Sequence, residues 1–448
     1  MIFISLLLIA IFLYVRGNKV LALLTFFFFL TSGFNLIPEE VLDLGIGISK
    51  GYDYAFFILL GMITIDAIFV RGFFKQDTFV RYLILFFAFL FCCVLYSKYS
   101  VGLSWSEIIR TSRYHFFWMA YFIFRHMEAS QLERLTKYLF LVTVILSSLY
   151  LLQIIFDTTI LLEKEQSSAE FLGITIPRYY NHPDMLNFFV MFAIYANPYS
   201  GPKKYISIVI LILALCGAFH RSLTGFFFMS IIIGFIIQQS RIRRIRILTV
   251  GAALLIFVAL YAGNRFTESR TYIDLRTVMS GDVADADIDI TELQNSTFTF
   301  RIGHLFERIE YLTENPEARI FGAGLIPEDS KMVDKLFDFQ IGLLEELTDS
   351  TIQLETSDIS YSVLFIRLGY VGTFFNLLLF IYLMVFFYKK RENKYALSSF
   401  LFLVLSIGIS FFSGNLLMPV TFILPLISYN IVRKTEPNTL EIENTTDE

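Results

Sequence analysis

Several familiar signatures are missing from this chain: there is no P-loop, no Gly-rich dinucleotide fingerprint and no HExxH zinc motif. Histidine is scarce, 5 in 448 residues, and cysteine scarcer at 3. Cys92, Cys93 and Cys216 all fall inside apolar stretches and read as packed or lipid-facing small residues, which excludes a disulfide framework and a thiolate metal centre. Continuous basic patches with interleaved aromatics are also missing. Arg and Lys sit instead at the ends of apolar stretches, so nucleic acid is not a partner.

What is present is apolar. The chain is 56% hydrophobic, carries 51 Phe and has a mean hydropathy of +0.64, well beyond an ordinary soluble domain. The pattern predicts an all-α polytopic membrane protein with about thirteen crossings. They are placed at 1–15, 20–37, 54–70, 82–99, 108–124, 135–156, 184–197, 205–219, 223–237, 245–262, 359–388, 395–412 and 416–432. The first lacks a basic leader and a small-residue cleavage site, so it reads as a retained crossing, although 15 residues are short for about 30 Å of hydrocarbon.

Basic residues concentrate in alternate linkers: Arg16 and Lys19; Arg71, Lys75 and Arg81; Arg125, Arg134 and Lys137; Lys203 and Lys204; Arg241 to Arg246; Lys389 to Lys394; and the Arg433–Lys434 end. The positive-inside rule puts these in the cytoplasm and the remaining linkers outside. This also divides the apolar run 205–237, which as one helix would be about 50 Å long. Both its flanks are basic, so it must be a hairpin with His220, Arg221 and Ser222 at its outer tip.

The organisation expected is helices 1–10 over 1–262, a large, partly helical outer loop over 263–358, helices 11–13 over 359–432 and a disordered cytoplasmic tail over 433–448. From Gly263 to Ser357 there are 19 acidic against 8 basic side chains, about −11, leaving about +7 for the rest of a chain whose net charge is −4. Within the loop an amphipathic helix is predicted from Arg301 to Glu314. Ile302, Leu305, Phe306, Ile309 and Leu312 form its apolar face, with Arg301, His304 and Arg308 beside it. Asn315-Pro316 ends that helix, and Phe321-Gly322-Ala323-Gly324 reads as a flexible turn.

Charged groups at membrane depth are costly and therefore candidates for function. Asp66, close to a cytoplasmic end, is assigned a structural role. The outward arginines Arg110, Arg113, Arg178, Arg221 and Arg301 are harder to explain as topology signals, because they gather on the face where positive charge is disfavoured. Arg113 and Arg110 also have Glu107 within reach on their own helix. The planar guanidinium fork suits phosphate oxygens, so converging arginines would make a site for a lipid diphosphate headgroup. Asp285, Asp287 and Asp289 have the first spacings of a calcium loop, but Ile290 occupies the glycine position and Ser296 the closing one, so no metal is assigned.

These segments resemble a known family. Arg178-x-x-Asn181-His182-Pro183-x-x-Leu186 before a span is similar to a segment of the O-antigen polymerase and ligase superfamily of bacterial envelope proteins. Phe219-His220-Arg221-Ser222 resembles its hairpin tip, and Arg301 to Phe306 through Asn315-Pro316 to Gly322-Ala323-Gly324 resembles its large-loop block. Asp358-Ile359-Ser360-Tyr361 with Gly369 and Gly372 resembles the segment that re-enters the membrane. The likeness covers residues 170–375, in order. Asp184 departs from the usual Asn, and Asp358 stands where ligases commonly carry a His, which favours a polymerase.

The resemblance implies a bacterial inner-membrane polysaccharide polymerase that moves a growing glycan from a polyprenyl diphosphate carrier to a lipid-linked repeat unit on the periplasmic side. It implies Arg178, Arg221 and Arg301 at the diphosphate, with Arg110 and Arg113 as second choices. His182, His220, His304 and Asp358 are the candidates for activating the acceptor hydroxyl. No cofactor is expected, and a chain-length regulator and a flippase are implied partners. A ligase and a lipid-linked oligosaccharide flippase are the competing readings.

Overall fold

The structure is a computed structural model that describes residues 2–42, 50–162, 166–171, 174–179, 181–238, 297–327, 330, 332, 336–337, 344–345, 350–351 and 359–435. The chain begins with α1 (Ile2–Val15) and α2 (Lys19–Leu30), followed by two short helical turns, α3 (Ser32–Asn35) and α4 (Glu39–Leu42). Then come α5 (Gly51–Phe69), α6 (Thr78–Tyr99), α7 (Trp105–Phe116), a 3-10 turn at Phe117–Met119 and α8 (Ala120–Arg125). After α9 (Ala129–Phe156), strands β1 (Gln166–Phe171) and β2 (Ile174–Tyr179) precede α10 (Leu186–Ala196), α11 (Pro202–Gly217) and α12 (Arg221–Gln238). The later part holds α13 (Thr297–Glu314), α14 (Pro316–Phe321), the two-residue strands β3 (Leu344–Glu345) and β4 (Ser350–Thr351), α15 (Ser360–Lys389), α16 (Lys394–Ile409) and α17 (Val420–Thr435).

Four of the described helices, α5, α6, α9 and α15, are long and apolar enough to cross a membrane, and α1, α2, α10, α12 and α16 are shorter apolar helices. The 22 residues of α6 make about 33 Å, one hydrocarbon thickness. This is the make-up of an all-α membrane protein. The tenth expected crossing, 245–262, lies outside the described residues, as do Asp285, Asp287, Asp289, Asp358 and the tail after Thr435.

Local chemistry explains where the helices begin. Asp77 caps α6 by accepting from the Val80 N–H at 2.9 Å, and Asn393 caps α16 through Tyr395 N–H at 2.9 Å. Pro202 and Pro316 occupy first turns, where a missing N–H costs nothing. Packing is aromatic at the centre: Trp118 stacks on Phe422 at 4.2 Å and meets Phe380 edge-on at 5.1 Å. Between apolar helices in lipid, such shape-matched contacts and interhelical hydrogen bonds replace the hydrophobic drive of water.

Several expectations need correction. The span at 108–124 is not one helix: α7 gives way to the 3-10 turn at Phe117–Met119 where Trp118 enters the core, and α8 resumes. The span at 359–388 is broken inside α15 at Gly369, with φ 63° and ψ −171°. Beside the helices lies a small strand pair that was not expected, in which β1 and β2 run antiparallel from Gln166↔Tyr179 to Phe171↔Ile174. The Ile174-Thr175-Ile176 alternation before Pro177 was a readable strand signal. The apolar run 205–237 is divided between Gly217 and Arg221, as the charge pattern requires.

The turn expected to be flexible at 321–324 is a packed joint. A Cβ on Gly322 would lie 2.2 Å from Ile366 O and one on Gly369 2.5 Å from Ile320 O, so α14 seats its backbone on the break in α15. Ala323 N–H donates to Ile366 O at 2.7 Å, a carbonyl near that break. Below it, Leu325 N–H donates to Ser97 Oγ at 2.9 Å and Arg367 Nε to Ile326 O at 3.0 Å.

Candidate functional site

The two ends of the helical bundle use charge differently. At the end holding the basic linkers, Asp77 accepts from Tyr121 OH at 2.5 Å and from Arg433 at 2.5 Å, with Arg125 at 3.5 Å. Asp66 accepts from Tyr14 OH at 2.5 Å and pairs with Lys19 at 3.5 Å, which fits the structural role expected of it. His126 meets Phe73 O at 3.2 Å there, and Lys434 reaches Met127 O.

The opposite end is built from β2, the segment before α10, the α11–α12 junction and α13. Tyr150 OH donates to Tyr179 O at 2.8 Å, and Tyr179 OH to Asp157 Oδ1 at 2.9 Å, which ties β2 to the end of α9. The fully buried Gln153 amide donates to Asn181 Oδ1 at 3.1 Å, while its carbonyl oxygen accepts from Ile160 and Leu161 N–H at 3.0 and 2.8 Å. Asn181 in turn donates to Leu161 O at 3.0 Å. Gln153, Tyr150 and Asp157 were missed in the sequence. A glutamine in the last turn of an otherwise apolar helix was the signal that could have found the first of them.

This scaffold holds Arg178, whose Nε donates to Ala218 O at 3.2 Å, so β2 grips the α11–α12 junction. At that junction Phe219 takes a left-handed φ of 48°, which redirects the chain. His220 follows and caps α12: its Nδ1 lies 3.3 Å from Leu223 N and 3.0 Å from Ser222 Oγ, and its carbonyl accepts from Thr224 N–H at 3.0 Å. Burial, together with the neighbouring His182, Arg301 and Arg178, pushes the His220 pKa down to about 4.

Arg178, His182 and Arg301, three of the residues singled out in the sequence, thus each act electrostatically on a fourth, His220. Arg221 opens α12 directly after His220, so the positive end of the helix dipole lies beside that ring, and the Arg221 side chain lies outside the described residues. No family model matches this chain, and no curated protein does either.

Arg301 reaches the cluster because α13 is fastened to α15. His304, one turn on, shares a hydrogen bond of 2.8 Å with Ser362 through Nδ1. The buried side of α13 mixes polar and apolar residues: His304 and Arg308 are only 2% and 1% exposed and Leu312 is fully buried, whereas Phe306 is 56% exposed. Arg308 pairs with Glu307 and lies over the Phe337 ring at 4.0 Å. Burial lowers its pKa to about 10 against the opposing pull of Glu307. Burial and the Arg308 charge push His304 down to about 2, so its geometry and basicity are those of a peg between helices.

The structure keeps the second-choice arginines on α7. Arg113 is buried and paired with Asp53 of α5, with its guanidinium over the Tyr52 ring at 4.3 Å. Glu107 accepts from Ser104 N–H at 2.9 Å in a capping box. Arg110 is exposed. Among the described residues no group of His, Cys, Asp and Glu could hold a metal ion. Around His220 the structure gathers the charges of Arg178 and Arg301, the His182 imidazole and the start of α12, a set whose chemistry suits an anion.

Proposed function

We propose that this protein is a membrane glycosyltransferase that polymerises glycan repeat units carried on a polyprenyl diphosphate, acting at the outer face of a bacterial inner membrane. The convergence of Arg178, His182, His220 and Arg301 from separate segments, at the bundle end away from the basic linkers, carries this reading. About thirteen crossings complete the topology in this proposal, with cytoplasmic basic linkers and the 263–358 loop outside.

Diphosphate is already a good leaving group, so orientation and stabilisation of the charge developing on it are the main demands. Arg178 and Arg301, with Arg221 at the start of α12, meet them, and a firm mount for α13 on α15 supports their mutual placement. His182 stands beside His220 as a candidate to assist the acceptor hydroxyl, with Asp358 a further candidate, whereas His304 is occupied by Ser362.

One observation favours a second reading. The breaks in α15 at Gly369 and between α7 and α8 resemble the interrupted helices of secondary transporters, which supports a lipid-linked oligosaccharide flippase. Deletion of the gene followed by gel analysis of surface glycan separates the readings. Loss of a polymerase leaves single repeat units at the surface, loss of a ligase leaves long chains on the carrier, and loss of a flippase leaves nothing outside. Reporters fused after Lys204 and Lys394 are expected to report cytoplasm and those at 220–222 periplasm; the reverse would overturn the site assignment.

A further inference from the structure

His220 entered as one of four candidate bases, but its hydrogen bonds assign it a different task. A backbone N–H can only donate, so the Leu223 N–H at 3.3 Å requires a bare lone pair on Nδ1. The Ser222 hydroxyl, 3.0 Å from the same atom, can donate to it as well. A neutral imidazole with Nδ1 bare carries its proton on Nε2, at the ring edge away from the α12 backbone. The charged and titratable groups that act on the ring are Arg178 of β2, His182 before α10 and Arg301 of α13.

We propose that His220 is a neutral hydrogen-bond donor, with Nδ1 capping α12 and Nε2–H presented to the anionic headgroup that Arg178 and Arg301 hold. The donor role rests on the lipid-diphosphate reading, whereas the cap and the tautomer do not. A base would need its lone pair on Nε2. That tautomer, or the imidazolium, would set a proton on Nδ1 against the Leu223 N–H, and the imidazolium would add a charge beside two guanidinium groups. The left-handed φ of 48° at Phe219 keeps the ring at the cap position.

The test uses the full chain in lipid nanodiscs with ¹⁵N-labelled histidine, the His220 signals being those lost in His220→Asn. Between pH 5.5 and 8 they are expected to show the neutral Nε2–H tautomer throughout. An imidazolium or Nδ1–H form at pH 7 would overturn the proposal. Asn keeps an acceptor for Leu223 N–H but has no group at the Nε2 position. His220→Asn is therefore expected to keep the thermal stability and to bind geranylgeranyl diphosphate about tenfold more weakly at every pH tested. His220→Gln, which reaches the Nε2 position, should recover part of that affinity at some loss of stability. Wild-type affinity in His220→Asn would sink the donor role. If the tautomer is as stated but Arg178→Ala and Arg301→Ala bind the probe like the wild type, the lipid-diphosphate reading fails and takes the donor role with it, while the cap remains.

Discussion

The two ends of the bundle each collect arginine, and they treat it oppositely. At the basic-linker end Arg433 and Arg125 surround Asp77, and Lys19 faces Asp66, so cation meets carboxylate. At the other end the groups that act on His220 are Arg178, Arg301 and His182, all basic. Opposite charges in contact hold helices together. Like charges brought together raise the energy of the empty site and lower it when an anion arrives. On the proposed function the difference separates arginines that build the protein from arginines that meet a ligand; on α7, Arg113 is paired with Asp53 and Arg110 is exposed.

The strongest way to break this contrast is to remove the gathered cations. Arg178→Ala or Arg301→Ala is expected to reduce chain extension at least about a hundredfold with the protein still inserted, and Lys at either position to restore part of it. Extension assays on membranes with matched protein levels measure this, and undiminished activity in both Ala variants would return the two arginines to a structural role.

Next in size is the joint that mounts α13 and α14 on α15. Gly322→Ala sets a Cβ 2.2 Å from Ile366 O at a φ of 68° and is expected to cost about 3 kcal/mol or more of stability. Thermal unfolding in detergent reports it. An unchanged midpoint would mean that the joint yields and that Arg301 is not rigidly held.

Asp77→Asn probes the opposite end, with an expected loss of about 2 kcal/mol in stability and unchanged extension per folded molecule. Burial opposes ionisation of Asp77, but hydrogen bonds from Tyr121, the Val80 N–H and Arg433, with the Arg433 charge, outweigh it and hold its pKa below the ordinary 3.8. The sign follows: its contribution is fully present above pH 3.8 and disappears as the pH falls through the lower folded value. Wild-type stability should therefore drop toward that of Asp77→Asn only below about pH 4. A gap between the two that closes near neutrality would contradict the assignment. The smallest expected effect is none at all: on the proposed function arginines neutralise the diphosphate, so extension by purified protein is expected to survive EDTA. Loss on chelation with restoration by Mg²⁺ or Ca²⁺ would replace the guanidinium site by a metal bridge.

Much of the helical plan was legible because lipid imposes it. Apolar segments long enough to cross, with Lys and Arg at alternate ends, have few other solutions, and the division of 205–237 at His220 followed from charge alone. The amphipathic helix after Arg301 was legible from its period, but its inward face only in part. Leu312 is buried as the apolar spacing argued, whereas Phe306 is exposed, and Ser362 and Phe337 supply partners that bury His304 and Arg308. The strand pair before α10 went unread because the helix pattern dominates its surroundings.

By itself, then, the sequence determined that the chain is apolar and helical, where charge falls along it, and which arginines stand out from a topology signal, since these depend on the residue and its near neighbours. Tertiary structure alone decided which arginines meet a carboxylate and which act on His220. Asp53 and Arg113 lie 60 residues apart, and Arg178 reaches Ala218 across 40. It also decided that Gly322 and Gly369 form one joint and that the Nδ1 of His220 is already engaged. The physical reason is that Coulomb and hydrogen-bond energies depend on separation in space, which sequence spacing encodes only within a helix turn or a strand pair.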